Sequence, residues 1–177
     1  MQRTIDTLAL YGICAVLGVA FYYQFGRGEL PCPLCALQRV GFVVAGVALV
    51  LNLRTGYSTA HYGLALLSVV AAASASLRQI ALHVIPDTGH YGSALFGFHF
   101  YTWAFVGYGA LVAYAGAMLM IGRSAGERAR AAPVGAAANL ACWLFIALAA
   151  ANAAAFLAEC GIGPCPDNPT NYLWWPR

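Results

Sequence analysis

Pro31-Cys32-Pro33-Leu34-Cys35-Ala36-Leu37-Gln38-Arg39 is the stretch on which the reading of this chain turns. It sets two cysteines at redox-pair spacing, where a short polar loop ends and a long apolar run begins. Cysteines so spaced can close as a disulfide or share a metal. At the start of a helix, a thiolate also gains from the unpaired backbone N–H groups. An i, i+4 spacing places Arg39 on the same helix face as Cys35, one turn deeper. A charge at that depth is costly unless it has a partner or a role.

The surroundings of this stretch are those of a membrane protein. Of 177 residues only 8% are charged, none is lysine, and mean hydropathy is +0.71. An ordinary soluble domain carries about 25% charged residues. A net charge of +3 is too small and too scattered for a nucleic-acid partner. Four of the six cysteines sit in polar segments, which points to an oxidising compartment on one side of the membrane.

Working outward, five apolar runs are each long enough to span: about 5–25, 36–53, 62–82, 96–121 and 134–157. They form a single integral membrane domain, 1–177, with a polar tail over 158–177. A signal-peptide reading of the first run, with cleavage near Gly18-Val19-Ala20, is disfavoured because Phe21 to Phe25 continue the run. The third run is built on small residues, Ala71 to Ser76, which let helices approach closely. Arg3, Arg54, Arg123, Arg128 and Arg130 fall on one side, and Arg27, Arg78 and Arg177 on the other. That bias places the N-terminus in the cytoplasm and, with five spans, the C-terminus outside. Odd parity brings Cys160 and Cys165 to the same side as Cys32 and Cys35. Tyr172, Trp174 and Trp175 can anchor that tail in the interface.

Two cysteine pairs on one membrane face suggest thiol–disulfide exchange, one pair meeting a partner and the other passing electrons onward. Cys160 and Cys165 flank a loop containing Gly161, Gly163 and Pro164; Cys32 and Cys35 lie where a lipid-soluble acceptor can reach them. Arg39 can lower the Cys35 thiolate pKa and donate to a quinone carbonyl oxygen. His83 and His99 flank the same exterior loop and are candidate proton donors to a reduced quinone. Arg78 reads as an interface anchor. Other accounts are a four-thiolate zinc site, which leaves Arg39 unexplained, and purely structural disulfides. Haem attachment is disfavoured because Ala36, not histidine, follows Cys35. Cys14 and Cys142 fall mid-span, where cysteine usually serves as a small apolar side chain. A transmembrane relay through them, importing reductant, is the competing enzyme reading.

These residues resemble the DsbB family of disulfide bond formation proteins. The resemblance rests on Pro31-Cys32-Pro33-Leu34-Cys35 with Gln38-Arg39, on Arg78, and on Phe96-Gly97-Phe98 leading to Trp103, and it runs over about 7–121. It implies an all-α membrane protein, a bundle of four transmembrane helices of DsbB type, here with a fifth. It further implies a bacterial inner-membrane thiol oxidase that reoxidises a periplasmic thioredoxin-fold partner of DsbA type and passes electrons to ubiquinone or menaquinone from the membrane pool. By the resemblance Cys32 and Cys35 are the quinone-coupled pair, Cys35 faces the quinone, Cys32 exchanges with the second pair, and Arg39 supports the quinone. The family carries its second pair in the loop between spans three and four. Here that loop, Pro86 to Leu95, has no cysteine. The expectation is that the shuttle pair has moved to Cys160 and Cys165 in the tail.

Overall fold

The computed structural model describes residues 2–85, 89–124, 134–163, 165–167 and 169–174; for Arg123 and Ser124 it describes the backbone only. Arg128, Arg130, Trp175 and Arg177, which entered the orientation and anchoring arguments, lie outside the described residues.

Among the described residues, five helices are long and apolar enough to cross a membrane. They are α1 (Gln2–Phe21), α2 (Pro33–Thr55), α3 (Thr59–His83), α4 (Phe100–Ser124) and α5 (Ala136–Cys160). A π-helical turn, Tyr22–Gly26, extends α1. Between α3 and α4 a small antiparallel hairpin pairs β1 (Ala94–Leu95) with β2 (Phe98–His99). The expected fourth span began at Phe96, but the helix begins at Phe100. Phe96 and Gly97 both take positive φ, 51° and 83°, and turn the hairpin that precedes the helix. At the other end of the chain, α5 runs on through Cys160, so this cysteine closes the helix and does not sit in the tail.

α2 occupies the centre. It packs between α1 and α3, α4 packs on α3, and α5 lies along α1 with an edge against α2. The α2–α3 contact is close because Gly41 faces Ala72; a Cβ at Gly41 would overlap the Ala72 methyl. The buried positions of α3 include Ala65, Val69, Ala72, Ser76 and Gln79, a stripe at helical spacing facing α2. α1 and α4 stay apart, leaving a groove along the bundle lined from both helices.

Asp6, inside the apolar α1, is only 4% exposed. Tyr62 of α3 donates to its Oδ1 at 2.7 Å, and Tyr114 of α4 donates to the same oxygen. Buried in this way, the carboxyl ties three helices together at the end of the bundle away from the cysteine pairs.

Candidate functional site: two disulfides, an arginine and a cavity

Cys32 is the N-cap of α2, with an extended backbone (φ −70°, ψ 164°), and Pro33 occupies the first turn. Its Sγ accepts from the backbone N–H of Cys35 at 3.1 Å. Cys32 and Cys35 form a disulfide. Cys32 is 6% exposed, whereas Cys35 is only partly buried and lines a cavity.

Gln79, 2% exposed on the buried stripe of α3, aims its amide at this disulfide. Nε2 lies 3.3 Å from Cys32 Sγ and 3.6 Å from Cys35 Sγ. Its Oε1 accepts from Gln38 Nε2 at 2.8 Å. Tyr108 of α4 in turn donates to the Gln38 carbonyl. A polar strand therefore crosses α4, α2 and α3 and ends on the sulfurs.

Arg39 is partly buried between helices. Nη1 donates to Gln24 Oε1 in the π-helical turn and, at 3.5 Å, to Asn152 Oδ1 of α5. Nη2 donates to the carbonyl of Ala20 at 3.3 Å. A guanidinium has five N–H donors, so these three bonds leave capacity for a ligand. Arg39 and Cys35 line one cavity of about 320 Å³, whose wall is mostly apolar and includes Tyr101 and Trp103 of α4. Glu29 and Tyr91 close its outer end. Tyr91 donates to the Leu30 carbonyl at 2.6 Å, and its phenol is pushed up from the usual 10.0 by burial, then by the charges of Glu159 and Glu29. A second cavity, about 360 Å³, lies on the other side of Arg39 between α2 and α5.

Cys160 and Cys165 form the second disulfide. Cys160 is 4% exposed and Cys165 is more open. The tail folds back on α5, with Leu173 N–H on the Glu159 carbonyl and Trp174 N–H on the Ala158 carbonyl. Tyr172 stacks on Phe25, and its hydroxyl accepts from Gln24 Nε2 at 3.1 Å. Gln24 thus touches both the tail and Arg39, so both cysteine pairs occupy the same end of the bundle. As disulfides, neither pair offers a thiolate to a metal.

His83 and His99 do not line the cavity that holds Cys35 and Arg39. Each packs its ring on Tyr101, which does, at 5.5 and 5.4 Å between ring centroids. His99 Nδ1 lies 3.2 Å from the Gly92 carbonyl; His83 Nδ1 is buried without a hydrogen bond among the described residues. Arg78 is exposed. Cys14 and Cys142 are buried free thiols on the packed helices α1 and α5.

The family model described as disulfide bond formation protein DsbB matches residues 2–93, just over half of the chain. The chain belongs to the DsbB family. It is similar to disulfide bond formation protein B of Hahella chejuensis, 34% identical over 89 residues (48% of this chain, 54% of the relative). The namesake in Chromobacterium violaceum is 38% identical over 84 residues (45% and 51%), and that of Marinobacter nauticus 42% over 80 (42% and 47%). The chain therefore spans about half the length of the curated relatives it matches. No solved structure matches it. The family match holds Cys32, Cys35, Arg39 and Gln79 and stops short of Cys160 and Cys165.

Sequence reasoning passed over four residues of this candidate site: Gln24, Gln79, Asn152 and Glu159. Glu159 is 2% exposed, its carboxylate oxygens make no hydrogen bond among the described residues, and it attracts the Arg39 guanidinium. The available signal was a polar side chain inside an apolar helix.

Proposed function

We propose that this chain is a quinone-dependent thiol oxidase of the bacterial inner membrane, with its N-terminus in the cytoplasm and both disulfides at the periplasmic face. It reoxidises a thioredoxin-fold dithiol partner of DsbA type. The observation that carries the reading is the cavity shared by Cys35 and Arg39.

The residues of that cavity suit ubiquinone or menaquinone. Aromatic and aliphatic walls fit an apolar ring, Arg39 has N–H groups to spare, and an apolar groove between α1 and α4 continues past Val16 and Phe42, with room for an isoprenoid chain. A quinone supplies a two-electron, two-proton acceptor. Arg39 is placed to hold its carbonyl oxygen and to favour the negative charge arising there. His83 and His99, one ring behind Tyr101, are the candidates for proton delivery.

Electrons enter at the tail. The more open Cys165 Sγ takes the partner thiolate, the Cys160–Cys165 bond breaks, and its electron pair leaves on Cys160. The partner's second thiolate then displaces Cys165, so the partner leaves as a disulfide and the tail as a dithiol. A tail thiolate attacks Cys32 Sγ, the Cys32–Cys35 bond breaks, and the pair leaves on Cys35, the sulfur facing the cavity. The other tail cysteine displaces Cys32 and restores Cys160–Cys165. Re-forming Cys32–Cys35 then delivers two electrons and two protons to the acceptor.

The test is anaerobic mixing of the purified protein, a reduced thioredoxin-fold partner and a quinone, followed by quinone absorbance. Quinol should form in step with partner disulfide. With Cys160→Ser and Cys165→Ser together, the partner should no longer drive quinol formation, while dithiothreitol still should. A partner whose second cysteine is replaced by alanine should accumulate as a mixed disulfide with the tail, because the thiolate that releases it is gone. No quinol in any arm, or trapped species that never involve Cys160 or Cys165, would overturn the reading.

A further inference from the structure

The Gln79 side chain is used by none of the steps above, yet its amide nitrogen is within 3.6 Å of both Cys32 and Cys35 sulfurs. We infer that Gln79 is a catalytic hydrogen-bond donor that stabilises negative charge on Cys32 and Cys35 as their disulfide opens and re-forms. The inference rests on the exchange reaction proposed above and adds a residue to it.

Three observations point the same way. Gln79 is almost completely buried, so its two N–H groups have no water to satisfy them, and the sulfurs are where they point. Gln38 donates to Gln79 Oε1 at 2.8 Å, and that bond leaves the NH₂ end nearer the disulfide, 3.3 and 3.6 Å from its sulfurs, than the oxygen, 3.9 Å from Cys35 Sγ. Gln38 is in turn placed by α2, one residue before Arg39. The amide is therefore oriented before any charge appears, which is the condition under which a donor helps a transition state most.

When a thiolate attacks Cys32 Sγ, the new S–S bond forms there, the Cys32–Cys35 bond breaks, and the electron pair moves to Cys35 Sγ. One Gln79 N–H then faces an anion instead of a disulfide sulfur. When Cys32 is displaced in turn, its thiolate meets the other Gln79 N–H and the Cys35 backbone N–H. Other charged or titratable groups near the pair are Arg39 on α2, Tyr101 on α4, and Glu29 and Tyr91 in the loops over the cavity. None of them touches Cys32, which leaves Gln79 as the side-chain donor common to both sulfurs among the described residues.

A hydrogen bond to a charged group that is lost shifts a pKa by about one unit or more. In the reduced full-length protein, iodoacetamide alkylation of Cys32 and Cys35 is followed against pH by mass spectrometry, with no quinone or partner present. Gln79→Met, which keeps chain length and has no N–H, should raise the pKa of at least one thiol by about one unit and slow its alkylation near neutral pH by about tenfold. Gln38→Met, which frees the Gln79 amide to turn, should shift it in the same direction by less. If Gln79→Met fails to fold, Gln38→Met alone decides. Unchanged profiles in the variants that fold overturn the inference. Because the readout needs neither acceptor nor partner, its failure is separate from failure of the quinone reading, which the wild-type mixing experiment tests.

Discussion

Arg39 shows how a charge is tolerated inside an apolar bundle: two side-chain oxygens, a backbone carbonyl and the attraction of a buried carboxylate surround it. Arg39 also lines the cavity beside Cys35 and keeps N–H donors beyond these three bonds. Arg39→Met should therefore lower quinone reduction by about a hundredfold or more. Partner exchange with the tail disulfide, measured in a single turnover without quinone, should be unchanged. Tyr91 makes a prediction of a different kind. Its phenol titrates above 10.0 in the folded protein, so above about pH 10 the unfolded chain gives up this proton first. Stability then falls as pH rises through that window. Tyr91→Phe should cost about 1 kcal/mol near neutral pH, through the lost bond to Leu30. The melting temperature in detergent should then decline less steeply above pH 10 than in the wild type.

Among the elements, the α2–α3 contact decides whether Gln79 reaches the sulfurs. Gly41 and Ala72 let the two backbones close up, and Gln79 lies two turns further along the same stripe of α3. Gly41→Ala forces the helices apart, because the obstacle is another Cβ and not the end of a flexible side chain. It should destabilise by about 1–3 kcal/mol in a detergent melt and slow reoxidation of the Cys32–Cys35 pair. The α1–α5 contact carries Cys14 and Cys142, and both are buried in the core. Replacing the two together by alanine should leave quinol formation by the partner dithiol intact. Loss of that activity in a folded double variant would favour a relay through the membrane instead.

At the scale of the whole molecule, the fifth helix makes two contributions. It carries Cys160 to the end of the bundle that holds Cys32, and it supplies Asn152 and Glu159 to the surroundings of Arg39. In right-side-out cells, after reduction, a membrane-impermeant maleimide should label Cys165 before Cys160. Labelling only from the cytoplasmic side would reverse the proposed orientation.

The sequence by itself determined the membrane bundle, because hydropathy and span length are local sums that packing does not alter. It also determined the cysteine pair at the start of α2 and the arginine one turn deeper, since both depend on spacing within a single helix. It placed the fourth span four residues early, because aromatic composition does not reveal a hairpin closed by positive φ at Phe96 and Gly97. Only the tertiary structure decided what surrounds the site. Gln38 and Gln79 are 41 residues apart, Gln79 and Cys32 are 47 apart, and Arg39 and Asn152 are 113 apart. Gln79 and Asn152 each lie deep in an apolar helix, and nothing local marks either as a partner of α2. Which of them converge depends on how the helices rotate and approach one another, and no local spacing records that.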